Sequence, residues 1–228
     1  MTSDLANLRL FQLISPTLPI GSFTYSQGIE WSVEAGWISN PENLSEWLES
    51  VLKDSLVWLE LPILLRLYDA CKNNDAIVFN HWSQQLLASR ESKELRQEEL
   101  NRARALLTVL NKLPEASSWP ELREWRDALL NSQVSSFALA AKYWGIDHRQ
   151  TLLGYVWSWL ENAVTVAVKL IPLGQSDGQI TLHSLSSLIP DAIDVAMSVD
   201  DDDIGASTPA LAIASSLHEA QYTRLFRS

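Results

Sequence analysis

The stretch "NPENLSEWLESVLKDSLVWLELP", residues 40–62, decides the fold class. Its apolar positions are Leu44, Trp47, Leu48, Val51, Leu52, Leu56 and Leu59. Steps of three and four put them on one stripe of a helix. Asn40 is a suitable cap, and Pro41 suits a first turn, where no backbone donor is needed. Pro62 is expected to end or kink this helix, because its ring removes a donor and crowds the preceding turn.

The same period extends in both directions. Helices are expected over residues 75–88, 91–110, 119–144 and 147–170. In the second of these Leu95, Ala103, Leu106, Leu107 and Leu110 face inward, and the other face carries Arg and Glu. Gly145 is placed to stop the third. "LPEASSWP" (113–120) and "IPLGQSDGQ" (171–179) read as connections. Two short helices are expected over 181–188 and 191–199. Thr208 then caps a last helix, with Pro209 in its first turn, that carries on into the C-terminal residues. There is no convincing β-alternation, hairpin dipeptide, internal repeat or low-complexity linker. The expectation is an all-α, single-domain bundle of roughly eight to ten helices spanning residues 1–228.

Composition narrows the function. Hydrophobic residues at 46% and charged residues at 20% describe a globular chain able to bury a sizeable core. A net charge of −11 with no basic stripe argues against nucleic acid as a partner. Cys71 stands alone, so no disulfide forms within the chain and no CxxC holds zinc; a reducing, cytoplasmic setting fits. "MTSDLANLRLFQLIS" lacks the basic region and long apolar run of a signal peptide. "TLLGYVWSWLENAVTVAVKLIPLG" (151–174) is interrupted by Glu161 and Lys169, so it reads as a buried helix and not a membrane span. The ten tryptophans are expected to be mostly core or partly buried.

The search for chemistry finds no constellation. His81, His148, His183 and His218 are not spaced to share a helix face, and "VDDDDI" (199–204) lacks the spacing of a calcium loop. GxSxG and the P-loop are absent, and Ser22 and Ser26 have no base nearby in sequence. No catalytic residue, resident metal ligand or cofactor is assigned. The two ends of the chain are more informative. "SPTLPIGSFTYSQGIE" (15–30) holds two prolines, two glycines, two aromatics and one charge. "QYTRLFRS" (221–228) combines Tyr222, Arg224, Phe226 and Arg227. Tyr and Arg are typical of interface anchors, and an equal alternative is a terminal helix that packs Leu225 and Phe226 on its own core.

Five separated segments carry a resemblance. "SPTLPIGSFTYSQGIEWSVEAGWI", "ESKELRQEELNRARALL", "FALAAKYWGID", "WLENAVTVAVKLIPLGQSDGQ" and "DIGASTPALAIASSLHEAQYTRLFRS" together resemble the UreF family of urease accessory proteins, in order and over essentially the whole chain. The resemblance implies an all-helical, dimeric, non-catalytic adaptor. It implies bridging between the accessory protein UreD (UreH in some organisms) and the GTPase UreG, and delivery of nickel to apo-urease, with nickel in transit through the complex. An alternative is a regulator that lends UreG an arginine in trans, with Arg224 or Arg227 as the candidate. The resemblance puts the partner-binding surface at both ends: Ser22, Phe23, Tyr25, Ser26 and Gln27 at one, and His218, Gln221, Tyr222, Arg224, Phe226 and Arg227 at the other. Phe23 and Tyr25 are expected to project as anchors. No nucleic acid or membrane is implied.

Overall fold

The computed structural model describes residues 4–228. The first three residues of the expected domain and of the segment read for a signal peptide lie outside them. Thirteen α-helical segments and no strand occur among the described residues. Nine of these helices have ten or more residues, within the expected eight to ten. They are α1 (Asp4–Leu13), α3 (Pro41–Val51), α4 (Glu60–Asn73), α5 (Ala76–Ala88), α6 (Lys93–Lys112), α9 (Gln133–Tyr143), α10 (His148–Leu170), α11 (Gln175–Ser186) and α13 (Pro209–His218). Four shorter pieces complete the set: α2 (Ile29–Glu34), α7 (Glu121–Glu124), α8 (Arg126–Asn131) and α12 (Ile189–Met197).

The opening helix forms as its spacing predicts. The Asn40 side chain accepts the N–H of Asn43 at 2.8 Å, and Leu44, Leu48 and Val51 are buried. A π-turn over Leu52–Leu56 then lets the chain break at Leu59. Pro62 does not terminate this helix. It occupies the first turn of α4, where an N–H would have no intrahelical partner. The expected stop was therefore a start. α4 was hidden in the sequence because its first turn, Glu60–Ile63, is buried and runs on directly from the preceding apolar stretch; its polar face, Arg66, Asp69, Lys72 and Asn73, begins only a turn and a half later.

α4 and α9 cross at the centre. Leu61, Ile63, Leu64 and Leu67 of α4 are fully buried, and so is every α9 residue from Val134 to Ala141 except the nearly buried Phe137. Ala138, Ala140 and Ala141 are small enough for the helices to pack closely. α5, α6, α10 and α12 surround this pair, and the buried apolar residues form one contiguous cluster. Eight of the ten tryptophans are buried or partly buried; Trp37 and Trp58 are exposed.

Three further boundaries differ from expectation. Residues 119–144 make three helices, because the chain departs from helical geometry at Trp125 and at Ser132, whose hydroxyl caps α9 through the N–H of Val134. α11 starts at Gln175, six residues early, where Asp177 folds back onto the N–H of Gly174. Thr208 stands at the N-cap of α13 but makes no cap bond; its hydroxyl is buried without a partner. α13 also ends at His218, so the C-terminal residues form an irregular tail and not a continued helix. Gly145 does stop α9, with a φ of 67°. Cys71 is buried, and burial pushes its thiol well above its ordinary range. Among the described residues, no helix is long and apolar enough to cross a membrane.

Candidate functional site

Only one charge occurs in residues 15–30, and it organises both ends of the chain. Glu30 lies in the first turn of α2 and is 6% exposed. Its Oε1 accepts the backbone N–H of Leu225 at 2.6 Å, and its Oε2 accepts that of Phe226 at 2.9 Å. His218, at the end of α13, is fully buried with Nε2 3.0 Å from the same Oε2. Its Nδ1 lies 2.6 Å from Glu94 Oε2, so one imidazole joins two carboxylates, with both ring nitrogens facing acceptors. The other Glu94 oxygen takes the Arg224 guanidinium at 2.6 Å.

Glu98, one turn further along α6, continues the network. Its Oε1 accepts from Gln27 Nε2 at 2.8 Å and from Arg102 Nη1 at 2.9 Å, while Oε2 accepts the Ser228 hydroxyl at 2.9 Å. The Ser228 carbonyl accepts the N–H groups of Ser26 and Gln27 at 2.5 and 3.1 Å, and also the Ser26 hydroxyl. Arg227 N–H donates to the Thr24 carbonyl at 2.8 Å. A cation bridges the ends as well: Lys169 Nζ is 5.9 Å from the ring centroids of both Phe23 and Phe226.

Local sequence makes this clasp possible. Gln27 and Gly28 hold φ values of 50° and 80°, and the adjacent N–H groups of Ser26 and Gln27 meet the tail as a small concave donor pair. Gly28 also lies against α13: a Cβ there would be 3.0 Å from Ala214 Cβ and 3.3 Å from the Ser215 nitrogen. Glycine is needed on both counts. Ser215 and Ser92 then bond hydroxyl to hydroxyl at 2.6 Å, and Glu219 accepts the Lys93 N–H at the start of α6. A donor left without its carboxylate in a buried setting costs about 1–3 kcal/mol, so Glu30 contributes through several bonds at once.

The sequence-predicted residues divide into two sets. Tyr25, Ser26, His218 and Phe226 are buried, at 5%, 1%, 0% and 7% exposure. Tyr25 therefore does not project as expected; its hydroxyl meets Asn101 Nδ2 at 3.4 Å. The buried set shapes the surface from beneath. Ser22, Gln27 and Gln221 are partly buried, and Phe23, Tyr222, Arg224 and Arg227 are exposed. Gln221 donates to Glu34 at 2.7 Å. Ile213 and Leu217, four residues apart on the outer face of α13, and Leu225 of the tail are exposed as well. Sequence reasoning missed these three and also the carboxylates Glu30, Glu94 and Glu98. The one available signal was the lone charge of Glu30 in an otherwise uncharged stretch.

The Ser26 hydroxyl is committed to the Ser228 carbonyl, and Ser22 lines a small cavity of about 60 Å³ with Arg102, Ser158 and Glu161. His218 is held by two glutamates and His183 is exposed, so the two do not meet. Of the "VDDDDI" run, Asp201 pairs with Arg66 and the other aspartates are exposed. Among the described residues no three His, Cys, Asp or Glu side chains converge to hold a metal ion.

Known proteins resemble this chain along its length. The family model described as UreF matches residues 38–186, and the clasp residues at the two ends lie outside that span. A urease accessory protein UreF of Alcanivorax borkumensis is 59% identical over 225 residues, covering 98% of each chain. One from Pseudomonas putida is 49% identical over 230 residues, covering all of both. One from Chromohalobacter salexigens is 43% identical over 224 residues, covering 98% of this chain and 95% of its own. Helices, core and both clasped ends thus fall within one continuous likeness, and the chain belongs to the UreF family of urease accessory proteins.

Proposed function

We propose that this chain is the adaptor of a urease maturation complex, joining UreD (or UreH) to the GTPase UreG so that nickel reaches apo-urease. The observation that carries this reading is the clasp. Buried carboxylates fix the backbone of the tail while Phe23, Tyr222 and Arg227 stay outside. A surface whose backbone is already ordered loses less freedom on association. Tyr222 is fully exposed, and Ile213 and Leu217 of α13 and Leu225 of the tail are exposed apolar side chains of the same end of the chain. Aromatic and arginine anchors amid apolar contacts are how protein interfaces concentrate binding energy. Nickel is cargo in this reading, and no resident cofactor is assigned.

The chain works as a homodimer in the cytoplasm. The face offered to a second copy is the groove of about 400 Å³ between α1 and α10, lined by Leu10, Phe11, Ile14, Leu153, Trp157 and Ile189. Gly154 brings the helices together there; a Cβ would come within 2.5 Å of Leu10.

The test is capture of purified UreD (or UreH) and UreG, with and without GTP, by wild type and by a Tyr222→Ala/Leu225→Ala variant. Both side chains are exposed, so the thermal midpoint stays unchanged while capture falls about tenfold or more. Full capture by the variant would remove the tail from the interface. A second reading, GTPase stimulation by an arginine in trans, is favoured by one feature. Arg227 is exposed and makes no ion pair among the described residues, whereas Arg224 is engaged by Glu94. Arg227→Lys then lowers stimulated GTP hydrolysis and spares binding; loss of binding alone supports the plain adaptor.

A further inference from the structure

The second half of α6 carries a feature unlike the rest of this acidic molecule. Arg104 and Lys112 from α6, Arg123 from α7 and Arg126 from α8 line one groove of about 690 Å³, and no acidic side chain lines it. All four are exposed and, among the described residues, none makes an ion pair; Arg104 only donates to Asn101. Four of the 17 lysines and arginines thus stand together unneutralised in a chain of net charge −11. Such a cluster repels itself unless something anionic joins it. The groove floor is apolar, formed by the buried Leu107 and Leu122 and the partly buried Leu130.

We propose that this groove is a second docking site, and that it takes a short acidic segment of a partner protein bearing one or two apolar anchors. The volume suits a peptide side-chain cluster. The cations surround a leucine floor, so carboxylates and an aliphatic side chain are satisfied together. A nucleic acid fits less well. The lining holds no aromatic ring for base stacking, and a long polyanion would meet the negative field of the whole chain, whereas a short segment lies within a screening length of about 8 Å. The site is distinct from the clasp. On α6 the groove begins at Arg104, six residues or roughly 9 Å beyond Glu98, and reaches Lys112, roughly 21 Å beyond it at 1.5 Å per residue. It does not depend on the clasp reading.

The test uses the full chain and a fluorescein-labelled synthetic helix-forming peptide with four glutamates flanking two leucines, followed by fluorescence anisotropy. Wild type binds it, and binding weakens several-fold from 50 to 200 mM NaCl. Arg123→Glu/Arg126→Glu weakens binding about tenfold or more, and so does Arg104→Glu/Lys112→Glu from the other wall, which guards against misfolding of the first variant. Lys53→Glu/Lys72→Glu makes the same charge change elsewhere and leaves binding unaltered, as does Tyr222→Ala. Equal weakening by the Lys53/Lys72 control, unchanged binding in both groove variants, tighter binding of a thymidine oligonucleotide, or equal binding of a glutamate peptide lacking leucine would overturn the proposal.

Discussion

Two buried carboxylate networks meet on α6, and they hold different things. In the first, the Arg90 guanidinium lies between Glu60 at 2.7 Å and Glu99 at 2.6 Å, all three side chains at 13% exposure or less. Glu99 also accepts from the Ser132 hydroxyl at 2.7 Å and the Gln133 N–H at 3.0 Å. This network joins α4, α6 and α9, the centre of the fold. In the second, Glu30, Glu94 and Glu98 accept mainly from the tail: two backbone N–H groups, one hydroxyl and an arginine whose side chain is 39% exposed. The first network holds helix to helix, and Arg102, paired with Glu98 and acting on Glu99, adjoins it to the second. The second secures a segment with little apolar anchorage of its own, Phe226 being the one buried apolar side chain among residues 221–228. The first serves stability and the second serves presentation.

This contrast can be broken in order of size. Arg90→Met removes the cation that pairs with both Glu60 and Glu99 and leaves two buried carboxylates without it. It is expected to destabilise the whole fold by about 3–5 kcal/mol, read as one cooperative shift in urea unfolding. A variant that melts normally would show that the core network is dispensable. Gly28→Ala comes next. It places a Cβ 3.0 Å from Ala214 at a φ of 80° and should cost about 1–3 kcal/mol, loosening α13 and the tail together. Arg224→Ala is the smallest, below about 1 kcal/mol, because the pair is solvent-screened on one side. Partner capture should drop by more than that change in stability.

Acid separates the networks further. Burial raises the Glu99 carboxyl, but the charges of Arg90 and Arg102 and the Ser132 hydrogen bond outweigh it and hold the group below its usual range. A carboxyl depressed in the folded state stabilises above the ordinary carboxylate range near 4.3 and loses that contribution as the pH falls through it. A Glu99→Gln variant, already lacking this contribution, should show a flatter loss of stability between about pH 5 and pH 3 than wild type.

The fold was legible wherever a helix had one wet face. Residues 40–52, 75–88, 93–110 and 148–170 announced themselves by period and caps. It was illegible where burial hid a boundary: the start of α4, buried from Glu60 to Leu65, was mistaken at Pro62 for the end of its predecessor. The site was half legible. Tyr222, Arg224 and Phe23 stood out by residue type, yet residue type did not show that Tyr25 and Phe226 turn inward. The network itself depends on contacts across 195 residues, from Glu30 to Leu225. Spacing along the chain carries no trace of such a pairing, except that a lone carboxylate in an uncharged segment needs a reason to be there.

The most direct measurement is hydrogen exchange at the Leu225 and Phe226 amides in wild type and Glu30→Ala. The account predicts slow exchange at both in wild type and near-free exchange in the variant, with α9 amides still protected. Free exchange of those two amides in the wild-type chain, or loss of protection throughout α9 in the variant, would contradict it.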